Sequence, residues 1–110
     1  MPSRPLALVQ GTLDLLVLRT LAGEPLHGYG IATEVHERTG GTLGIEDAAL
    51  YQALHRLEGQ GLLEAEWGPS ENNRRARFYS LTSAGRKRLR EEIATWRRYA
   101  VAIEAVLEGI

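Results

Sequence analysis

The stretch ALYQALHRLEGQGLLEAEWGPSENNRRARFYSLT, residues 49–82, passes from one hydrophobic periodicity to another, and the order of those periods decides the fold. At its start Leu50, Leu54 and Leu57 recur at helical spacing and must face a core. Glu46 and Asp47 suit a helix N-terminus and Gly61 suits a stop, so a helix is expected over residues 46–60. Next, Leu63, Ala65 and Trp67 alternate with Glu64 and Glu66, the pattern of a half-exposed strand. Residues 76–82, ARFYSLT, are again rich in β-formers. Between the strands, Gly68 to Arg75 reads as an eight-residue polar loop ending in two arginines. A plain chain reversal needs only about two to five residues.

The side of this helix away from the leucines carries Ala48, Gln52, His55 and Gly59, with Tyr51 at its edge. An ordinary solvated face would carry lysine and glutamate; this one is flat at its start and then rich in hydrogen-bonding groups. Ala48 and Ala49 let a helix axis approach base edges, Gln52 can pair bidentately with adenine, and His55 or Arg56 can reach guanine or phosphate. Tyr51 offers a hydroxyl to a phosphate, although it could equally pack against the preceding helix while His55 is merely solvated. In the loop, Arg74 and Arg75 can each reach a phosphate or enter a narrow minor groove, and Asn72 and Asn73 add neutral donors that tolerate tight turns. Arg77 continues the basic run. A solvated turn is the plainer reading of such a loop, but its place directly after this helix favours a wing held out toward DNA.

Upstream, a helix is expected over residues 10–22. Its apolar residues, Leu13, Leu15, Leu16, Val17, Leu18 and Leu21, surround most of the circumference and call for burial on more than one side. In a chain of 110 residues the second side is expected to meet another chain, with Leu15 and Leu18 as interface candidates. A second helix is expected over residues 28–38, with GYG at its start for close helix packing, followed by a short strand over residues 42–45. Downstream, Thr82 or Ser83 caps a helix that runs to the end of the chain. Along it Leu89, Ile93, Trp96, Ala100, Ile103, Leu107 and Ile110 recur at spacings of four and three, a heptad seam that wants a partner helix. A homodimer is the economical consequence. Trp96 reads either as a packing anchor or, facing its symmetry mate beside small Ala100, as one wall of a slot for a flat apolar molecule.

The formal net charge of −1 conceals an uneven distribution. From Asn72 to Arg90 there are seven basic side chains and no acid, whereas beyond Arg98 the charges are Glu104 and Glu108. Such a basic region can face a polyanion, although a solvated loop and helix start would look the same. With 44% apolar and 25% charged residues the chain has the composition of one ordinary globular domain. It has no cysteine, which excludes disulfides and thiolate metal sites. The N-terminal apolar run is broken by Gln10, Gly11 and Asp14 and is neither a signal peptide nor a membrane span, so a cytoplasmic protein with no membrane partner is expected. His27, His36 and His55 fall at no metal-binding spacing, and HExxH, P-loop and GxSxG patterns are absent. Neither an enzyme, a cofactor nor a metal is expected.

The order is thus helix, helix, a short strand, helix, strand, long basic loop, strand, long helix: mainly α with a small β-hairpin, the winged helix-turn-helix arrangement. The expected division is a DNA-binding domain over residues 1–82 and a dimerisation helix over residues 83–110, packed as one unit. GTLDLLVLRTLAGEPLHGYGIA, followed by ALYQALHRLEGQGLLEAEWGPSENNRRARFYSLTSAGRKRL, closely resembles the PadR family of bacterial transcriptional regulators over residues 11–98. HGYGI, LYQALHRLE, GLLEAEW and RRARFYSLT, in that order, carry the resemblance. It implies a homodimeric winged-helix repressor of the compact subgroup, bound to double-stranded DNA at a pseudo-palindromic operator. It also implies that the last helix and the partner's first helix form the dimer surface. An aromatic small-molecule effector is a further implication, and Trp96 is its candidate contact because some compact members hold such ligands between the dimer helices. Gln52 departs from the family, which usually has proline after the third-helix tyrosine. The alternative is a winged-helix protein–protein interaction module without specific DNA binding. The two differ in salt dependence, steep for phosphate contacts and shallow for an apolar interface.

Overall fold

The computed structural model describes residues 4–109. Three helices, α1 (Thr12–Leu21), α2 (Gly28–Arg38) and α3 (Asp47–Gly59), precede a hairpin of β1 (Leu63–Pro69) and β2 (Arg75–Leu81), and α4 (Ser83–Leu107) follows. Val17, Leu18 and Leu21 of α1, Ile31 of α2, and Leu50, Leu54 and Leu57 of α3 meet Leu62, Leu63, Tyr79 and Leu81 in one core. Full burial of a leucine-sized side chain contributes about 1.5–3 kcal/mol, so this cluster holds the three helices and the hairpin together.

The ends of the elements follow from local chemistry. The first helix begins at Thr12, later than residue 10, because Gly11 has φ +90°, outside the helical region. The Nδ1 atom of His27 accepts from the Gly30 N–H at 2.9 Å and caps α2. Gly61, at φ +77°, ends α3 in a Schellman turn, its N–H donating to Glu58 and that of Leu62 to Leu57, both at 3.0 Å. Thr82 Oγ1 accepts from the Gly85 N–H at 3.0 Å and donates to the Gly61 carbonyl at 2.7 Å, so one side chain caps α4 and ties it to the end of α3. Residues 42–45 form no strand of their own; Leu43 makes an isolated parallel bridge to Leu6.

The hairpin departs most from the sequence reading. Its antiparallel register runs from Leu63 opposite Leu81 to Pro69 opposite Arg75, so Gly68 and Pro69 belong to the strand. The loop shortens from eight residues to the five between the strands, residues 70–74. Ser70 closes it, since its N–H and Oγ both donate to the Arg74 carbonyl at 2.8 Å, and Asn73 has a positive φ, 60°, alone among the described non-glycine residues. The reach of the wing thus comes from strands that outrun the core, and not from a long loop.

The last helix contributes only Leu89, and partly Ile93, to this core. Leu18 has no exposed surface and Leu89 only 7%, so both are used inside the protomer; neither is placed to meet a partner chain as expected. Beyond Ile93 the seam is open: Trp96, Ile103 and Leu107 are 39%, 42% and 50% exposed, and Ala100 is half-buried. Tyr99, Val101 and Val106 beside them are also exposed. Ile110 lies outside the described residues.

Candidate nucleic-acid interface

The helical spacing that sends Leu50, Leu54 and Leu57 into the core leaves Ala48, Ala49, Tyr51, Gln52, His55 and Arg56 on the exposed side of α3. Tyr51 is both a surface and a packing residue. A Cβ added at Gly28 would lie 2.8 Å from the Tyr51 hydroxyl, so the ring rests on the start of α2 while the residue stays 54% exposed. The glycine of HGYG is therefore what lets the tyrosine lie flat across two helices. Asn72, Asn73, Arg74 and Arg75 are all exposed at the wing. Among the described residues, neither Arg74 nor Arg75 has a carboxylate partner.

Two expected contacts are engaged elsewhere. Arg56 donates to both carboxylate oxygens of Asp14 on α1, at 2.7 and 3.0 Å. Hydrogen bonding by Asp14, and then its charge, raises the Arg56 pKa above the ordinary arginine value. Arg77 donates to Glu58 of α3 at 2.8 Å and lies 5.8 Å from the Tyr79 ring. Arg77, opposite Trp67 in the hairpin, therefore has its charge engaged within the protomer, unlike Arg74 and Arg75. Sequence periodicity places a side chain on a face but does not show which neighbour from another element shares that face.

Between the wing, α2 and α3 runs a groove of about 460 Å³, and the residues along it include two that the sequence reading passed over. Tyr29 is 73% exposed beside Gly28, and Trp67 is 58% exposed with the Arg75 guanidinium 5.5 Å above its ring. Trp67 continues the alternation of Leu63 and Ala65, but β1 has by then left the core, so the same pleat face now points at the groove. The extension of the strand was the missing signal. The His27 ring closes the far side, 5.1 Å from Phe78, with Nε2 3.5 Å from the Glu71 carboxylate. Because Nδ1 accepts the capping bond, the proton of the neutral ring sits on Nε2, the nitrogen that faces Glu71.

A second groove, about 340 Å³, lies between the start of α1 and α4 and is lined by Val9, Gly11, Thr12, Leu15, Trp96 and Tyr99 among others. The Trp96 and Tyr99 rings are 6.1 Å apart and tilted, and both line this groove within a single protomer. Tyr99 flanks the strict heptad positions and for that reason escaped the pattern. Among the described residues no cluster of His, Asp or Glu could hold a metal, and no helix is long and apolar enough to cross a membrane.

Comparison with known proteins agrees with this geometry. The profile of the transcriptional regulator PadR-like family matches residues 17–91. An uncharacterised protein X of Lysinibacillus sphaericus is 30% identical over 94% of each chain. Among solved structures, a PadR family transcriptional regulator from Eggerthella lenta is 34% identical, with a TM-score of 0.76 over 92% of this chain and 86% of that one. A transcriptional regulator from Clostridium thermocellum is 26% identical, with a TM-score of 0.79 over 87% of this chain and 90% of that one.

Proposed function

We propose that this chain, which belongs to the PadR-like family of transcriptional regulators, acts as a homodimeric repressor that occludes a promoter at a pseudo-palindromic operator. DNA binding and regulation come with the family; the dimer, the operator and the direction of control are our reading. The observation that carries it is the juxtaposition of a flat, polar α3 face with a wing whose Arg74 and Arg75 have no acidic partner among the described residues. In this reading α3 enters the major groove, presenting Ala48, Ala49, Tyr51, Gln52 and His55. Asn72, Asn73, Arg74 and Arg75 lie on the adjacent backbone, with Tyr29 and Trp67 beside them. The protein works where the DNA is, in the cytoplasm.

Two-fold symmetry follows from the open seam. Trp96, Tyr99, Ile103, Val106 and Leu107 leave more apolar side chain in water than a lone helix tolerates, and a second α4 would cover them. Two recognition helices related by that axis require half-sites about 10 bp, or a multiple of it, apart. The groove beside Trp96 is the site we assign to an aromatic effector. Such a ligand would act by favouring a dimer whose two α3 helices are wrongly spaced, and only to the extent that it binds that form better.

Fluorescence anisotropy on the DNA upstream of the protein's own gene, at two salt concentrations and with footprinting, tests the reading. Symmetric, salt-sensitive protection is expected, with a log–log slope of roughly −0.9 for each phosphate neutralised. A salt-insensitive protein that instead binds a partner protein through the seam would replace this reading with that of an interaction module.

A further inference from the structure

Arg56 and Glu58 stand two residues apart near the end of α3, so their side chains leave the helix on nearly opposite sides. Arg56 is held by Asp14 of α1 through two parallel hydrogen bonds, and Glu58 is held at 2.8 Å by Arg77 of β2. The helix that we place in the major groove is therefore gripped from both flanks, by the first helix and by β2. A planar guanidinium matched to a carboxylate by two bonds restricts angle as well as distance, which a point charge does not. All four side chains remain between about a quarter and a half exposed, so neither pair adds much to stability.

We propose that Asp14, Arg56, Glu58 and Arg77 form a positioning clamp that sets the angle of α3 against the wing, and that Arg56 supports DNA recognition through this clamp without touching DNA. The proposal rests on the DNA-binding reading above and gives Arg56, expected from the sequence to touch DNA, a different part in it. Arg56 is a positioning residue, and its loss weakens the matched site more than unrelated DNA without removing a phosphate contact. A contacting arginine behaves differently. Its removal lowers the salt slope, and freeing it from Asp14 improves binding.

The test uses the full chain and a duplex carrying the DNA upstream of its own gene, titrated over a salt series. The variants are Asp14→Asn, Arg56→Gln, and the exchange D14R/R56D, each checked for fold by circular dichroism. We expect both single variants to bind about three- to tenfold more weakly, with salt lines parallel to the parent's, and the exchange to recover most of the affinity. A slope smaller by about 2 for a dimer in Arg56→Gln, with Asp14→Asn binding as tightly as the parent, would make Arg56 a DNA contact and overturn the clamp. Unchanged binding in all three variants overturns it too. If the parent itself shows no salt-sensitive binding, the functional reading fails, and amide hydrogen exchange in the free protein decides the clamp. Faster exchange at the end of α3 in both single variants, reversed in the exchange variant, supports it; unchanged exchange refutes it.

Discussion

Charge on this surface acts only where a side chain is not already committed. Arg74 and Arg75 project from the wing without acidic partners among the described residues, whereas Arg77, two positions further along the same strand, is tied to Glu58. Replacing Arg74 and Arg75 together with alanine should remove up to four phosphate contacts from a dimer. The salt slope should fall by about 3 to 4 with little change in base preference, measured by anisotropy on matched and mismatched duplexes. An unaltered slope would mean that the loop is not a DNA-contacting wing. Gly85 sets a different kind of limit. It lies so close to the Leu62 carbonyl that an added Cβ would overlap the oxygen, and backbone cannot step aside as a side chain can. Gly85→Ala should therefore cost about 2–3 kcal/mol in urea denaturation, the upper range for overpacking. Nothing in the sequence around Gly85 announces this limit, because a clash with a residue more than twenty positions away leaves no trace in local pattern.

At the level of elements, boundaries were legible wherever the signal is local. The span of α2 agrees with its expected 28–38, and α3 with 46–60 to within a residue at each end, because glycines and caps act within a turn of the backbone they satisfy. The hairpin loop was misjudged by three residues, since Gly68 and Pro69 look like turn residues yet pair with Ala76 and Arg75. Pairing depends on the partner strand, and proline is tolerated at such a strand end because its missing N–H is not needed there. Thr82 joins elements, capping α4 while donating to the end of α3. Thr82→Ala should destabilise the fold by about 1–2 kcal/mol, more than Thr82→Ser, by thermal or urea unfolding. Equal losses in the two variants would show that the hydroxyl is not what matters.

For the whole molecule, α4 serves two environments. It gives Leu89 and part of Ile93 to the protomer's own core and leaves the rest of its seam in water. The heptad pattern does not announce where one use ends and the other begins, because a leucine looks the same in either. Ile103 lies in the open part, so Ile103→Glu should yield monomers by light scattering with the fold of the protomer intact by circular dichroism. Binding to a symmetric site should then fall by at least about a hundredfold as the two half-sites lose their linkage. A surviving dimer would place the interface elsewhere.

The amino-acid sequence by itself determined the order of the four helices and the hairpin, though not the absence of a strand at 42–45, and it determined the outward face of α3, the basic hairpin and the apolar seam, since each rests on residues within a few turns of one another. It also determined the family through the motifs from HGYGI to RRARFYSLT. Only the tertiary structure decided which charges were spent. Asp14 is 42 positions from Arg56, and Arg77 is 19 from Glu58, separations over which periodicity says nothing about contact. It likewise decided that Leu18 is internal, that Trp67 belongs to the groove, and that Tyr51 rests on Gly28. Each of these depends on the distance between two elements, and that distance is set by how the whole core packs.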